Sequence, residues 1–164
     1  MDEVRTTFHA LVGDLDYPMF IITAADGEDR DGCLVGFATQ ASIDPPRFLV
    51  CLSDKNRTTR IAVRADHLGV HAVPAERDDL AQLFGGVTAD DGVDKLGQAG
   101  WSKGPHGVPL LDDCPNRFVG RVEWREDAGD HIAHLLTPID AETAPDHDEF
   151  TFHRAKRIDP GHEA

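Results

Sequence analysis

Apolar residues at the start of the chain recur with the period of a helix. They lie three or four positions apart, at Val4, Phe8, Leu11, Val12 and Leu15. At this spacing they share one face of an α-helix. The pattern therefore predicts that the chain opens with an amphipathic helix.

Beyond this helix the period changes to short apolar runs bounded by polar or glycine-containing turns. Six such runs predict strands, at Pro18–Ala24, Cys33–Ser42, Arg47–Ser53, His67–Val73, Arg117–Glu126 and His131–Glu142. Turns are predicted at Ala24–Gly32, Asp44-Pro45-Pro46 and Asp127-Ala128-Gly129. Short strands at this spacing favour a mainly antiparallel β domain that closes into a barrel.

Two further helices interrupt the strands, and one long segment has no clear period. Residues 56–65 and 78–86 predict helices, the first with Asn56 as its N-cap. From Val87 to Asp113 neither the helical nor the strand period holds, which predicts a loop-rich segment. The tail contains one more apolar run, EFTFHRAKRI, before a polar end.

Length and charge limit the class of protein. The chain has 164 residues, which is most simply one domain over residues 1–164. It has 30 Asp and Glu residues against 16 Lys and Arg residues, for a formal net charge of −14. Because nucleic acid binding depends on neutralising phosphates with Lys and Arg, we predict no nucleic acid partner.

Apolar run length and cysteine usage bear on the compartment. No apolar run is long enough to span a membrane, and the first residues lack the basic and apolar regions of a signal peptide. No membrane partner is therefore predicted. Cys33, Cys51 and Cys114 form no CxxC pair and leave an odd count. This favours reduced thiols and a cytoplasmic location over a disulfide framework.

The sequence lacks the short motifs of several common enzyme classes. It contains no GxxxxGK[ST], GxSxG or HExxH, and no GxGxxG follows a strand. The pairs His67–His71 and His131–His134 lie in predicted strands. A separation of three there places two side chains on opposite faces, and one of four spreads them along one edge. No metal site is therefore predicted.

The stretch from Gly32 to Arg60 has a more specific pattern, with two apolar runs, a Pro-Pro corner and a partly basic end. Gly32, Leu34, Gly36 and Ser42-Ile43-Asp44-Pro45-Pro46 occupy the positions of a Gly-x-Thr-x-Ser…Ser-x-x-Pro-Pro pattern. In this the chain resembles the flavin reductase-like family, whose members are FMN-binding split barrels. The resemblance continues over RFLVCLSDKNRTT, LAQLFGG, GVPLLDDCP and Gly129-Asp130-His131, and so extends from about Tyr17 to Glu142.

The resemblance implies both a fold and an activity. The implied fold is a six-stranded antiparallel Greek-key split barrel with a few peripheral helices, which pairs into a homodimer. The implied activity is that of an FMN-binding, NAD(P)H-dependent flavin reductase, with FAD as a second cofactor option. Its electrons would pass to free flavin, oxygen or a partner enzyme such as a monooxygenase. Two alternatives stay open: a non-catalytic flavin-binding electron carrier, and a deazaflavin-dependent oxidoreductase on the same barrel.

The resemblance also implies which residues bind the cofactor. The flavin ring would lie against the backbone of the second predicted strand, at Cys33, Leu34, Val35, Gly36, Ala41 and Ser42. Small residues there let the backbone approach a ligand. Leu34 and Gly36 replace hydroxyl residues of the family pattern, so backbone groups must make the polar contacts. The phosphate would find hydroxyls, N–H groups and cations together at Ser53, Lys55, Asn56, Arg57 and Thr58.

His131 is the predicted catalytic residue. The resemblance implies that it forms a wall of the cavity over the flavin, and its charge can change near physiological pH. It could contact the reduced flavin or a nicotinamide phosphate, or it could be an ordinary residue at the rim. In the loop-rich segment, Leu96, Trp101 and Leu110 predict an apolar surface that a second subunit covers.

Overall fold

The first helix forms where the apolar period predicts it. The structure is a computed structural model that describes residues 1–86, 92–145 and 148–158. Helix α1 spans Asp2–Gly13, and Asp2 and Glu3 in its first turn stabilise the positive end of the helix dipole. None of its residues is buried within the chain. Its apolar face is therefore not part of the core.

Seven strands of the described residues form one antiparallel sheet. They are β1 (Phe20–Asp26), β2 (Asp29–Val35), β3 (Ala38–Ser42), β4 (Arg47–Ser53), β5 (His67–Ala72), β8 (Arg117–Asp127) and β9 (His131–Glu142). The two short strands between β5 and β8 in the chain, β6 (Trp101–Lys103) and β7 (Pro109–Leu111), pair with each other. The sheet order is β2-β1-β5-β8-β9-β4-β3. The prediction of a mainly antiparallel β fold with a few helices is confirmed.

The sheet has seven strands rather than the predicted six, because the second predicted strand divides in two. β2 pairs with β1 up to Val35, whereas β3 pairs with β4 from Ala38 onward. Between them the chain changes partner at Gly36 and Phe37. A side chain on Gly36 would come within 2.8 Å of the Tyr17 ring, so this change of partner needs a glycine.

The two ends of the sheet lie close together. β2 and β3 are the first and last strands of the sheet order, yet only Gly36 and Phe37 connect them. Phe20 of β1 also contacts Phe48 of β4, with ring centroids 5.4 Å apart, although three strands separate β1 from β4. The sheet therefore curls around one core. Among the described residues, no pairing between β2 and β3 closes it.

Beyond α1, the described residues form four further short α-helices. They are α2 (Arg57–Ala62), α3 (Asp78–Gly86), α4 (Lys95–Ala99) and α5 (Phe152–Ala155). The predicted N-cap of α2 is confirmed, because the Asn56 side chain accepts a hydrogen bond from the Thr58 backbone N–H at 3.2 Å. None of the described helices has both the length and the apolar character needed to cross a bilayer.

The segment from Val87 to Asp113 is more ordered than its pattern predicts. Residues 87–91 lie outside the described residues, but α4 and the β6–β7 hairpin occupy much of the remainder. Leu96 and Leu110 are buried within the chain, and the guanidinium of Arg30 lies 4.6 Å from the centre of the Trp101 ring. The expectation that these residues leave an uncovered apolar surface is therefore wrong.

A buried histidine joins three strands on one side of the sheet. The His71 Nδ1–H donates to the Ile21 carbonyl at 3.0 Å, and Nε2 accepts the Leu111 backbone N–H at 3.0 Å. These partners require the neutral ring with its proton on Nδ1. Burial lowers the pKa of His71 to about 4. A second buried ring, His134, has its pKa lowered to about 4 for the same reason.

We expect the free energy of unfolding to fall as the pH decreases from 6.5 towards 4. Between these values the unfolded chain binds a proton that folded His71 excludes. The contribution of His71 to stability is therefore fully present above pH 6.5 and is lost as the pH falls towards 4. This one group accounts for about 3 kcal/mol of the loss. Urea unfolding across this pH range should show a shallower loss in His71→Gln than in the wild type. His9→Gln, on the exposed face of α1, is the control, and equal slopes in wild type and His71→Gln would contradict the assignment.

Candidate active site

One cavity lies where the end of β2, the end of β4 and the start of β9 meet. Its volume is about 290 Å³, near the lower end of the range for small-molecule sites. Parts of α3, α4 and the C-terminal segment complete its walls. The sheet thus brings distant parts of the sequence to one concave surface.

Seven of the predicted site residues line this cavity. β2 and its exit contribute four of them, and the end of β4, the N-cap of α2 and the start of β9 contribute one each. Ser53 lies directly opposite His131 in the β4–β9 register, and Asn56 follows at the start of α2. The seven are Cys33, Leu34, Val35, Gly36, Ser53, Asn56 and His131.

The other five predicted residues do not line the cavity. Ala41 is exposed and Ser42 is half-buried on β3. The Lys55 residue is exposed, Arg57 is partly exposed and Thr58 is buried within α2. Roles for these five residues in cofactor binding stay predictions.

The His131 ring stands beside an aromatic ring and a carboxylate. Its centroid is 4.9 Å from that of Phe37, which is itself exposed at the turn after β2. Its Nδ1–H donates to Asp130 Oδ1 at 2.7 Å. This hydrogen bond holds the pKa of Asp130 below its ordinary value. The Asp130 carboxylate therefore orients the imidazole at the cavity wall.

The loop between β4 and α2 is held by local hydrogen bonds. The Thr59 hydroxyl donates to the Ser53 carbonyl at 2.6 Å. Asn56 caps the helix through the Thr58 N–H, and the Asn56 backbone N–H donates to the Ser53 carbonyl at 3.2 Å. Ser53 and Asn56 are thus fixed in position on the cavity wall.

The C-terminal segment supplies a wall of the cavity that no local sequence pattern predicts. The Tyr17 and Phe152 rings stack there, with centroids 4.7 Å apart and an interplanar angle of 10°. Ala155, Lys156 and Ile158 complete this wall. The apolar run EFTFHRAKRI is visible in the sequence, but its local pattern does not indicate on which part of the domain it packs.

Lys95 is a further cavity residue that no sequence pattern indicates. It begins α4, lines the cavity and is almost wholly buried. A lysine in a segment without a clear period is ordinarily read as solvent-exposed. Its burial depends on a partner on β2, Asp31, which no local pattern reveals.

The residues of this cavity fit a flavin. Within the described sheet β2 pairs with β1 alone, so its outer edge offers backbone N–H and C=O groups to the polar edge of a ring. Met19, Leu34 and Phe84 supply apolar walls, and Ser53, Asn56 and His131 supply polar groups. These are the groups that an aromatic cofactor with a polar edge and an anionic tail requires.

Burial keeps two cysteines on the cavity wall in the thiol form. Burial raises the pKa of the Cys33 thiol to about 12 and also raises the pKa of Cys51. Both thiols are therefore protonated at neutral pH, and thiolate chemistry is disfavoured. Within the described residues, no three His, Cys, Asp or Glu side chains gather closely enough to hold a metal ion.

Comparison with known proteins finds flavin reductases and a monooxygenase reductase component among the relatives of this chain. The chain is 25% identical over 142 residues to the reductase component of 4-hydroxyphenylacetate 3-monooxygenase from Klebsiella oxytoca, covering 83% of this chain and 80% of that protein. It is 28% identical over 128 residues to the FMN reductase (NADH) RutF of Stutzerimonas stutzeri, covering 78% of this chain and 72% of the relative.

A solved structure shares the fold. The NADH:FAD oxidoreductase SgcE6 of Streptomyces globisporus C-1027 superposes with a TM-score of 0.84 at 20% identity, over 94% of this chain and 92% of that one. The sequence model of the flavin reductase like domain matches residues 12–159, which is nearly the whole chain. The protein therefore belongs to the flavin reductase-like domain family.

Proposed function

We propose that the protein is an FMN-binding, NAD(P)H-dependent flavin reductase. One observation supports this most: the chain belongs to the family and has a cavity in which the outer edge of β2, Ser53, Asn56 and His131 meet. When bound, the flavin supplies the redox chemistry, since it takes up hydride from a nicotinamide and passes electrons on. The chain contributes binding, orientation and charge.

In this proposal the cofactor lies along β2 with its phosphate at the start of α2. The backbone from Cys33 to Gly36 would bind the polar edge of the ring, because Leu34 and Gly36 have no side-chain hydroxyl. Ser53 and Asn56 would bind the phosphate, since a hydroxyl and an amide can both donate to it. His131 would contact the nicotinamide or the ring from the opposite strand end.

The names of relatives support the cofactor and the partner. One relative is named an NADH-dependent FMN reductase, and one solved relative of the same fold is described in complex with NAD and FAD fragments. We therefore propose FMN or FAD as the cofactor of this chain and NADH or NADPH as its co-substrate. Another relative is the reductase component of a monooxygenase, so we infer a monooxygenase as the partner that uses the reduced flavin.

Turnover with added flavin tests this function. The protein should oxidise NADH or NADPH when FMN is present, at a rate well above that of the same mixture without protein. Replacing FMN by FAD, riboflavin or a deazaflavin would identify the flavin used. An electron carrier would bind FMN without nicotinamide turnover, and a deazaflavin enzyme would turn over only with the deazaflavin; either result would overturn the proposal.

The phosphate position gives a specific prediction at Asn56. Asp is as good an N-cap as Asn, so Asn56→Asp should keep the helix cap while placing a negative charge beside the FMN phosphate. We expect FMN to bind at least tenfold more weakly, whereas riboflavin, which has no phosphate, should bind almost as it does to the wild type. Fluorescence titration with both ligands measures this. Asn56→Ala controls for loss of the cap, and equal weakening of FMN and riboflavin would place the phosphate elsewhere.

We infer that two copies of the chain form a homodimer, on a basis other than the one the sequence indicated. Large apolar side chains are exposed along α1 and just after its end: Val4, Phe8 and Leu11 of the helix and the following Leu15 have 71%, 58%, 60% and 52% of their surface exposed. A two-fold contact between α1 faces would cover this surface.

We further propose that the curled sheet is the Greek-key split barrel of the family, and that residues 1–164 form one such domain. Three unpaired cysteines favour a cytoplasmic location.

A further inference from the structure

Lys95 places a positive charge on the cavity wall where water has little access. Its side chain is 2% exposed, and it lines the cavity at the first turn of α4. Its ammonium lies 3.4 Å from Asp31 Oδ1 and 5.9 Å from the centre of the Phe84 ring. A buried ammonium is costly unless opposite charge and hydrogen bonds compensate it.

The Asp31 carboxylate pairs with Arg57 as well as with Lys95. Its side chain is also 2% exposed, and its second oxygen, Oδ2, lies 3.4 Å from the guanidinium of Arg57. Oδ1 additionally accepts the Gly32 backbone N–H at 2.8 Å. Two basic side chains thus share one buried carboxylate. Arg57, which is partly exposed, also lies 3.9 Å from Asp29 Oδ1, whereas Lys95 is buried and shares Asp31 with Arg57.

The neighbouring thiol does not supply the missing negative charge. Cys33 lines the same cavity beside this group, and burial keeps its thiol protonated by raising its pKa to about 12. Asp31 is divided between two cations and compensates the buried Lys95 ammonium only in part, so an anion that enters the cavity would complete the compensation.

We propose that Lys95 binds an anionic group of the bound flavin, and that Asp31 holds Lys95 in position for this. The inference rests on the proposed function, because the anion belongs to the flavin. Two parts of the ligand have this chemistry: the phosphate of FMN, and the ring of reduced flavin, which becomes negatively charged. Both would gain from an ammonium held in a site of low water content.

Flavin affinities of Lys95→Met test the proposal. Met preserves the length of the side chain and removes its charge. Dissociation constants should be measured without nicotinamide for oxidised FMN and oxidised riboflavin, and anaerobically for both ligands after chemical reduction. Lys95→Arg preserves the charge, and Lys103→Met removes a charge from an exposed position on β6.

The four affinities separate the two sources of the anion. If Lys95 binds the phosphate, Lys95→Met should weaken FMN about tenfold to a hundredfold in both redox states and leave riboflavin unchanged. If it binds the ring, only the reduced forms of both ligands should weaken by this factor. Either pattern supports the proposal when Lys95→Arg retains most of the affinity and Lys103→Met binds as the wild type does.

A purely structural role for Lys95 gives a different result. All four affinities would then fall together, or none would change, and either outcome overturns the proposal. Should Lys95→Met fail to fold because Asp31 is left with a single cation, the double variant Asp31→Asn/Lys95→Met removes both charges, and the same four affinities decide. If FMN bound to the wild type is not reduced by NAD(P)H, the proposed reductase function is refuted. The proposal for Lys95 is still decided by the four affinities, because those measurements need only flavin binding.

Discussion

His131→Ala should lower kcat/KM for NAD(P)H by about tenfold to a hundredfold. The imidazole lies on the cavity wall opposite Ser53, oriented by its hydrogen bond to Asp130. Its removal would take one hydrogen bond from a charged or developing charged group during reduction. The affinity for FMN should change little, because the proposed contacts with the ring edge and phosphate come from β2 and the start of α2. Stopped-flow reduction of the FMN-bound protein measures the effect.

Two controls make this result specific. Asp130→Asn keeps a hydrogen-bond acceptor for the His131 Nδ1–H but removes the negative charge, so it should cause a smaller loss. His67→Ala changes a histidine on β5 that does not line the cavity, and its rate should match that of the wild type. Equal reduction rates in wild type and His131→Ala would show that His131 is only a rim residue.

Phe8→Asp/Leu11→Asp should convert a homodimer into a monomer. Each substitution replaces a large apolar side chain by a charge, and in a two-fold contact each change occurs on both copies. Burying such a side chain contributes roughly 1.5–3 kcal/mol, so we expect the dimer dissociation constant to rise by at least a hundredfold. Sedimentation at concentrations on the order of micromolar measures this.

Thr6→Asp is the matched control for this prediction. Thr6 lies on the opposite side of α1 from Phe8 and Leu11, because two positions turn an α-helix by more than half a revolution. The added charge there should leave the dimer intact. A wild-type protein that sediments as a monomer would refute the homodimer, and a dimer that survives Phe8→Asp/Leu11→Asp would place the interface away from α1.

The sequence predicted those parts of the fold that depend on local period. The spacing of Val4 and Phe8 was sufficient for α1, and Asn56 marked the start of α2. It did not predict the break at Gly36, because the apolar run continues through the break and only the pairing partner changes. Nor did it predict that α1 leaves its apolar face uncovered, since an amphipathic period looks the same for a helix on the core and for one on a subunit interface.

The candidate site was predicted where a motif of the family is contiguous in sequence. Cys33 to Gly36 and Ser53 belong to one such stretch, and His131 belongs to another. The residues that were missed, Lys95 and Phe152, have no motif of their own. Lys95 reaches the cavity because α4 packs beside β2, and Phe152 because it stacks on Tyr17. Both contacts are long-range, so no local pattern of either segment indicates them.

Anaerobic addition of NADH and of NADPH to the FMN-bound protein tests the central claim most directly. The flavin reductase function predicts that the visible absorption of FMN is lost with at least one of the two nicotinamides and returns when oxygen is admitted. Excess FMN added after reduction should then be reduced in successive turnovers. FMN that binds to the protein but keeps its full absorption with both nicotinamides would contradict the function.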